Sequence, residues 1–305
     1  MAASSIQSID VPRVRARPFA NVSVMGVLVA IGLIGYYAVV FAFPFYRAIW
    51  LSFHNWDFIV DPIPVGMRNY ERALNDEYFW KALRVTVMFS VAEIVAGILA
   101  SFLVALGISQ LKSGSLQRLY LGIFYLPVVI PSIVTVLLWR FLYLPSGGAF
   151  NGLLERIGLP AQPFLNSPDQ ALWCIVLMVV WANLGGSAII FFAGINEVST
   201  DLLEAAHLDG AGLWRQTIDI IVPIMRPIFF YQIVVSVIGT VQMFEQFYLL
   251  SGPAFSTRTL AVYTYELGFK TLNLGYGAAV SILIFVLLLV ATVVQFRQFL
   301  AARKD

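Results

Sequence analysis

Six long apolar stretches, separated by more polar segments, set the pattern of the chain. A helix needs about 20 mostly apolar residues to cross a hydrocarbon core about 30 Å thick, because each residue advances it by about 1.5 Å. Each stretch meets this length. The pattern therefore predicts an all-α, polytopic membrane protein with six transmembrane helices. The predicted spans are residues 22–45, 85–108, 119–143, 171–195, 224–244 and 275–296.

The distribution of arginine and lysine predicts the orientation of these spans. Six spans place both termini on the same side, and cytoplasmic flanks are enriched in Lys and Arg. Basic residues cluster before the first span and after the last, which favours cytoplasmic termini; they are Arg13, Arg15, Arg17, Arg297, Arg303 and Lys304. The first stretch is too long for a signal-peptide core and lacks a small-residue cleavage site, so we expect it to remain as an anchor. Residues 1–21 and 300–305 are then cytoplasmic tails around a single transmembrane domain, residues 22–299.

The composition excludes several classes of protein. Hydrophobic residues make up 60% of the 305 residues and charged residues only 12%, with a mean hydropathy of +0.83. A soluble domain has about 25% charged residues, so a soluble fold is excluded. The net charge of +2 and the scattered Lys and Arg leave no footprint for nucleic acid. A single cysteine, Cys174, excludes a disulfide framework and any multi-cysteine metal or redox site.

The loops on the predicted outer side differ in character. Aromatic side chains crowd residues 46–84, which suits either an interfacial belt that anchors the protein or a specific recognition surface; they include Trp50, Trp56, Tyr70, Tyr78, Phe79 and Trp80. The loop between the third and fourth spans is rich in Pro and Gly. It should be irregular, with a short helix near residues 151–157.

A segment of about 30 residues, 196–223, joins the fourth and fifth spans, although a simple link needs only a few residues. Asp201 and Glu204 resemble the start of a capped helix, and Gly210 is free to take the positive φ of a helix end. A second helical stretch should stop or kink just before Pro223, with Pro227 in the first turn of the fifth span. The segment therefore predicts a helix, a turn and a helix that project from the bilayer.

The residues of this segment also carry a family resemblance. The pattern EAAxxDGA followed by I-x-P resembles the cytoplasmic EAA loop of permease subunits of bacterial ABC importers; its residues are Glu204, Ala205, Ala206, Asp209, Gly210, Ala211, Ile221 and Pro223. Four further stretches resemble the carbohydrate-type permeases, the group of the larger maltose permease and the first glycerol-phosphate permease. They are residues 52–57, 65–74, 124–134 and 275–281. One departure follows the fifth span, where the family's T-G-G-P-like turn is replaced by residues 250–253, LSGP.

The resemblance implies the partners and the role of the EAA segment. In the family, the EAA loop forms a coupling helix that docks into a cleft on a separate ATP-binding subunit. The resemblance therefore implies a second homologous permease, two ATP-binding subunits that carry ATP and Mg²⁺, and an extracytoplasmic binding protein. The residues expected to couple to the ATP-binding subunit are Glu204, Ala205, Ala206, Asp209 and Gly210. The alternative is a cytoplasmic hairpin that only caps the bundle.

No nucleotide-binding G-x-x-x-x-G-K-[ST] motif occurs in the sequence, so the chain is not expected to hydrolyse ATP or to need a cofactor of its own. An intramembrane protease is disfavoured because both histidines fall in loops and no paired intramembrane aspartates occur. We therefore expect a translocation subunit in a bacterial inner membrane that imports a sugar or sugar-like solute. The alternatives are an ion-coupled secondary transporter of a small polar solute and a membrane scaffold that transports nothing.

Polar residues inside the spans are the candidates for a solute pathway, because each is costly in lipid unless it faces a cavity or a partner. The candidates are Glu93, Asn183, Gln232, Ser236, Thr240 and Gln242. The last four recur at helical spacing and predict one polar stripe on the fifth span. Hydroxyls and amides beside Phe244 and Phe247 suit a sugar. The alternative is hydrogen bonding between helices that only holds the bundle together. Similarly, Pro127 and Pro131 either break the third span or kink it.

Overall fold

A computed structural model describes residues 24–302, and this part of the chain is almost entirely helical. The helices are α1 (Val24–Tyr37), α2 (Phe43–Ser52), α3 (Arg68–Asn75), α4 (Glu77–Ser109), α5 (Gly114–Val129), α6 (Ser132–Leu142), α7 (Ala149–Arg156), α8 (Ala171–Asn196), α9 (Thr200–Leu208), α10 (Leu213–Gln216), α11 (Val222–Ile224), α12 (Arg226–Gln242), α13 (Glu245–Leu249), α14 (Leu260–Tyr265) and α15 (Leu274–Ala301). Short π-helical turns occupy Ala38–Ala42, Thr217–Ile221 and Glu266–Lys270. Two-residue strands β1 (His54–Asn55) and β2 (Ile63–Pro64) pair antiparallel, His54 opposite Pro64.

Five helical stretches are long and apolar enough to cross a membrane. They are Met25–Ser52, Glu77–Ser109, Ala171–Asn196, Arg226–Leu249 and Leu274–Ala301. Helices α5 and α6 pass the same test as a pair and raise the number to six if they form one span. An all-α polytopic fold is thus confirmed. The tails at residues 1–21 and 303–305 lie outside the described residues.

The chain divides into two compact units, one ending at Arg47 and the other beginning at Ala48. The first unit, described from Val24, is a helical rod in which a π-helical turn interrupts the α-helix. The second unit holds the other spans, and its core is built around α4 and α8. Both helices are apolar on nearly all sides, as expected for spans that contact other helices and lipid.

The third predicted span is broken rather than continuous. Helices α5 and α6 meet at an angle of 92° across Ile130 and Pro131. Pro131 has no backbone N–H and restricts the residue before it to extended conformations, and Ile130 accordingly has ψ 128°. Of the two outcomes considered for the proline pair, the structure has the break.

Close packing fixes α5 against α8. A Cβ atom on Gly185 would lie only 2.1 Å from the carbonyl oxygen of Phe124, so only glycine permits this approach of the two backbones. At the other face of α8, Ser101 on α4 donates to the carbonyl of Leu184 at 3.2 Å. The middle of α8 is therefore held between α4 and α5.

Three of the stretches that carry the family resemblance meet at one end of the second unit. The Asn69 amide donates to the carbonyls of Ser52 and His54, each at 2.9 Å, and the Tyr70 hydroxyl donates to Ser52 Oγ at 2.7 Å. The backbone at Gly275 lies against the His54 carbonyl, where a Cβ would clash at 1.8 Å. These contacts join α3, β1 and the start of α15.

Candidate functional site

The segment predicted to couple to a partner forms a helical hairpin, which here means residues 200–221. Helix α9 ends in the predicted turn: Gly210 has φ +82°, its N–H donates to the His207 carbonyl at 3.0 Å, and the Ala211 N–H donates to the Ala206 carbonyl at 2.9 Å. These two bonds are the Schellman pattern of a glycine-terminated helix. At the other end of α9, the structure gives Ser199 no side-chain capping bond. Gly210 is therefore the stronger local determinant of this hairpin.

A hydrophobic cluster attaches the hairpin to the bundle. Ile221 and Met225 are buried against Phe102, Phe191 and Ile195, which lie near the ends of α4 and α8. The Gln216 amide also donates to the Ala211 carbonyl at 2.9 Å and fixes the turn from the side. The hairpin thus has a defined direction relative to the helices that carry the polar residues described below.

The second half of the hairpin differs from the sequence prediction in one detail. The helix was expected to stop or kink just before Pro223, but the break falls at Met225, which has ψ 5°. A π-helical turn, Thr217–Ile221, precedes the proline, and the Val222 N–H donates to the Thr217 carbonyl. This π-helical turn is wider than a turn of α-helix and has a different hydrogen-bond pattern. The segment therefore does not need a backbone hydrogen bond from Pro223, which has no N–H to donate. Pro227 lies in the first turn of α12, as predicted.

The surface of the hairpin is exposed and partly apolar. Glu204, Ala205, Asp209 and Gly210 are exposed, whereas Ala206 is half-buried. Leu208 at the tip is 87% exposed and Trp214 is 63% exposed. Isolated apolar side chains are common on surfaces, but two large ones beside a rigid turn are typical of a surface that docks onto a partner.

Five of the six polar candidates line one cavity of about 330 Å³. They are Glu93 from α4, Asn183 from α8, and Gln232, Ser236 and Thr240 from α12. Glu93 and Asn183 lie midway along their helices, so the cavity lies at the depth where the bilayer is driest. The structure therefore joins three residues of the predicted stripe on α12 to Glu93 and Asn183, which the sequence suggested separately. Gln242 does not join them, because α12 ends there and its side chain is exposed outside the cavity.

Glu93 is the most unusual residue of this cavity. It is 6% exposed, and its Oε2 atom has no hydrogen-bond partner among the described residues. The Asn183 amide interacts with the carboxyl group. A buried carboxyl oxygen without a donor is costly, and such atoms mark positions where a ligand or water supplies the missing hydrogen bond.

A second cavity, of about 370 Å³, opens where α5 and α6 separate. It shares Val128, Asn183 and Met243 with the first, so the two cavities adjoin. The break in α12 after Gln242 lies opposite the break at Pro131, and Ser132 Oγ donates to Glu245 Oε2 at 2.5 Å between them. Two interrupted spans therefore face each other beside the second cavity. Ser132 and Thr135 also line this cavity, although they do not belong to the polar residues predicted from the sequence.

The aromatic residues expected beside the polar stripe lie elsewhere. Phe247 is 1% exposed and packs edge-to-face on Phe89, with ring centroids 4.6 Å apart. Phe244 stacks on Tyr248, outside both cavities. The change of direction after Met243 turns both rings away, and Tyr231 is instead the aromatic residue that lines the first cavity.

At the end of the second unit opposite the hairpin, Asp76 joins three helices. It accepts the Tyr78 N–H at the start of α4 at 2.9 Å, and the hydroxyls of Tyr263 and Tyr276, the latter at 2.7 Å. Burial acts to raise the pKa of Asp76, but these hydrogen bonds outweigh it and hold the pKa below its usual value. Burial and the bond to Asp76 raise the pKa of Tyr263 to about 12. This cluster was not predicted from the sequence.

Three of the aromatic residues predicted for the first outer loop, residues 46–84, lie in the first turn of α4 and divide into two groups. Phe79 is buried in the cluster around Ala73, Leu260 and Tyr276, so it is a core residue. Tyr78 and Trp80 are 46% and 50% exposed. Only the exposed group suits the predicted interfacial belt. The short helix expected near residues 151–157 is α7, which begins two residues earlier.

Comparison with known families gives a match over most of the chain. Residues 94–304 match the model of a family described as binding-protein-dependent transport system inner membrane component. The matched region includes the hairpin and every cavity-lining residue except Glu93, which lies one residue before it.

Individual relatives match over nearly their full lengths. The chain is 30% identical to the permease protein of the sn-glycerol-3-phosphate transport system of Yersinia pestis, over 92% of this chain and 96% of that one. It is also 30% identical to a permease protein of the trehalose/maltose transport system of Thermococcus litoralis, over 90% and 92%. Among solved structures, a bacterial ABC transporter that imports the acidic polysaccharide alginate superposes with a TM-score of 0.80 at 23% identity, covering 90% of this chain and 94% of that one.

Proposed function

Because the chain belongs to the family of binding-protein-dependent transport system inner membrane components, we propose that it forms half of the membrane pathway of an ATP-driven importer for a sugar or sugar-like solute. The other half is a second, homologous permease. Two separate ATP-binding subunits bind ATP and Mg²⁺, and an extracytoplasmic binding protein delivers the solute. Relatives that carry glycerol phosphate or trehalose and maltose support a hydroxyl-rich solute.

The observation that carries this proposal is the exposed hairpin at one end of the bundle. Its turn is fixed by Gly210 and Gln216, and its base is buried against α4 and α8. A rigid, exposed element of this kind transmits a displacement of its tip to the helices behind it. We infer that Glu204, Ala205, Ala206, Asp209 and Gly210 dock on the ATP-binding subunit.

The adjoining cavities support the second part of the proposal. Hydroxyl and amide groups at Asn183, Gln232, Ser236 and Thr240 suit the hydrogen bonds of a polyhydroxy solute. In this proposal the hairpin faces the cytoplasm together with both termini, in accordance with the basic residues around the first and last spans. The end that carries Asp76 then faces the binding protein.

The test is co-purification followed by a functional screen. The chain is expressed with its neighbouring transport genes, and the complex is isolated through a tag on this chain. We expect a second permease and ATP-binding subunits in the complex, and ATP hydrolysis that rises when a sugar-loaded binding protein is added. Transport by the purified chain alone, driven by an ion gradient without ATP, would contradict the proposal and favour a secondary transporter.

A further inference from the structure

The only charged side chain among the described residues that line the two cavities is acidic. The polar residues that line the first cavity are Glu93, Asn183, Ser187, Gln232, Ser236 and Thr240. The second cavity adds Ser132, Thr135 and Gln246. Among the described residues that line either cavity, none is Lys, Arg or His. The described lining of the two cavities therefore contains a carboxyl group and no cationic side chain to balance an anion.

Glu93 determines what this lining favours. Its side chain is almost fully buried, and Oε2 has no donor among the described residues. A solute hydroxyl can supply the missing donor. A phosphate or carboxylate cannot, and as a carboxylate Glu93 repels it in a region of low dielectric. In its neutral form, Glu93 offers one proton, which does not compensate the lost hydration of an anion.

The helix break is a further feature of the described residues that could attract an anion into the second cavity. Helix α6 begins at Ser132, and the start of a helix carries partial positive charge. Glu245 already lies at this position, where its Oε2 accepts the Ser132 hydroxyl at 2.5 Å. The chain's own carboxylate thus compensates the positive end of α6.

From this arrangement we propose that the solute carried by this chain is an uncharged polyhydroxy compound, such as a neutral oligosaccharide or polyol, and that Glu93 is the residue that disfavours anionic solutes. The inference rests on the proposed function and restricts its solute from any sugar-like compound to an uncharged one. It separates this chain from the relatives named for glycerol phosphate and from the structural neighbour that imports an acidic polysaccharide.

Charge selectivity of the cavity can be measured without knowing the solute. Cys174 is replaced by Ala, and Gly239→Cys places a thiol in the first cavity, where a Cβ meets nothing within 4 Å. The assembled complex is treated with methanethiosulfonate reagents that are uncharged, cationic (trimethylammonium-ethyl) or anionic (sulfonatoethyl). Ala161→Cys, in an exposed loop, gives the control rates. The rate of each reagent at Gly239→Cys is divided by its rate at Ala161→Cys, and these quotients are then compared between reagents. This comparison cancels the intrinsic reactivities of the reagents and of the two thiols.

We expect the anionic reagent to be slower than the other two at Gly239→Cys by roughly tenfold or more, relative to the control site. Glu93→Gln in the same background should return the ratio towards the control value. Equal normalised rates for all three reagents would overturn the inference. No labelling by any reagent would also overturn it, because the cavity would then be closed to aqueous solutes.

Uptake by the reconstituted transporter separates this inference from the proposed function. With its binding protein and internal ATP, the transporter should accumulate a neutral sugar. ATP-driven accumulation of sn-glycerol 3-phosphate or an alginate oligomer would leave the proposed function intact and overturn the inference. If the complex shows the expected charge selectivity in the labelling experiment but no ATP-dependent uptake, the result contradicts the proposed function and leaves the inference intact.

Discussion

At the scale of single residues, the polar side chains within apolar stretches were predictable and their partners were not. Glu93, Asn183 and Gln232 stand out in the sequence because polar groups are rare in lipid-spanning helices. Gln242 follows Thr240 by only two residues, about 200° around a helix, and lies at the last residue of α12, so it does not share the face of Gln232 and Ser236. The Asp76 cluster was not predictable, because Tyr263 and Tyr276 lie 187 and 200 residues away in sequence.

Asp76 is expected to stabilise the end of the bundle that is opposite the hairpin. Replacement by alanine removes the cap of α4 and leaves two tyrosine hydroxyls without their acceptor. The loss should be about 1–3 kcal/mol. Thermal unfolding of the detergent-solubilised protein measures it, with Asp169→Ala at an exposed loop position as the matched control. Equal unfolding midpoints for the two variants would contradict this role.

The pH dependence of the same carboxylate has a definite sign. Because the folded-state pKa of Asp76 lies below its unfolded value, its contribution is present above the unfolded value and is lost as the pH falls through the folded pKa. The wild-type protein should therefore lose more stability between about pH 5 and pH 3 than Asp76→Asn does. A larger acid sensitivity of the variant would contradict the direction of the shift.

The stripe on α12 is expected to contact solute. Replacing Ser236 and Thr240 together by alanine and valine removes two hydroxyls from the cavity, and each neutral hydrogen bond contributes roughly 0.5–1.5 kcal/mol. Stimulation of ATP hydrolysis by the loaded binding protein should fall by about two- to tenfold per bond, while basal hydrolysis persists. Gln242→Leu, on the same helix but outside the cavity, is the control. Normal uptake combined with poor assembly would instead indicate that the stripe only holds helices together.

At the scale of elements, the sequence predicted the helices well where their ends have strong local signals. Helix α9 ends in a turn at Gly210, as the backbone freedom of glycine suggested, and Pro227 lies in the first turn of α12. The angle between α5 and α6 was not predictable, because Pro127 and Pro131 allow either a kink or a break. The close approach of α5 to α8 at Gly185 was not predictable either, because it is a contact between distant parts of the chain.

The hairpin is expected to couple ATP hydrolysis to transport. Glu204→Lys inverts an exposed charge of the docking helix, and Gly210→Pro imposes a φ near −65° on a residue that has φ +82°. Uptake should fall by at least about tenfold in each variant, while membrane insertion persists. Glu155→Lys makes the same charge change at an exposed position on α7, outside the hairpin, and serves as the control. Normal uptake with Glu204→Lys and Gly210→Pro would exclude the hairpin as the coupling element.

At the scale of the whole molecule, the hydrophobic pattern was sufficient for the membrane fold but not for the site. Six apolar stretches predict six spans because the bilayer imposes one length on all of them. Which faces of those spans enclose a cavity depends on helix rotation, and near-uniform hydrophobicity around α8 leaves that rotation unspecified. The cavities arise where interrupted spans meet, which is a property of the assembled bundle.

The proposed orientation predicts a labelling pattern in intact cells. With Cys174 replaced by Ala, cysteines at Ser113 and Ser199 should be shielded from an impermeant thiol reagent, because both lie at the cytoplasmic end in this orientation. Cysteines at Asn166 and Ser251, both exposed, should be labelled, because both lie at the opposite end. Permeabilised cells, in which all four sites are reachable, provide the control. The reverse pattern would invert the orientation, and uniform labelling would show that the number of spans is wrong.

The central claim is that the hairpin contacts an ATP-binding subunit. Photo-crosslinking from its tip tests this claim directly: a benzophenone amino acid replaces Leu208, which is 87% exposed, and the matched control replaces Leu153 on α7, which is 57% exposed at the other end of the molecule. After irradiation of the assembled complex, the account predicts an adduct between this chain and the ATP-binding subunit from position 208 and none from position 153. Absence of that adduct at position 208, or equal yields from both positions, would contradict it.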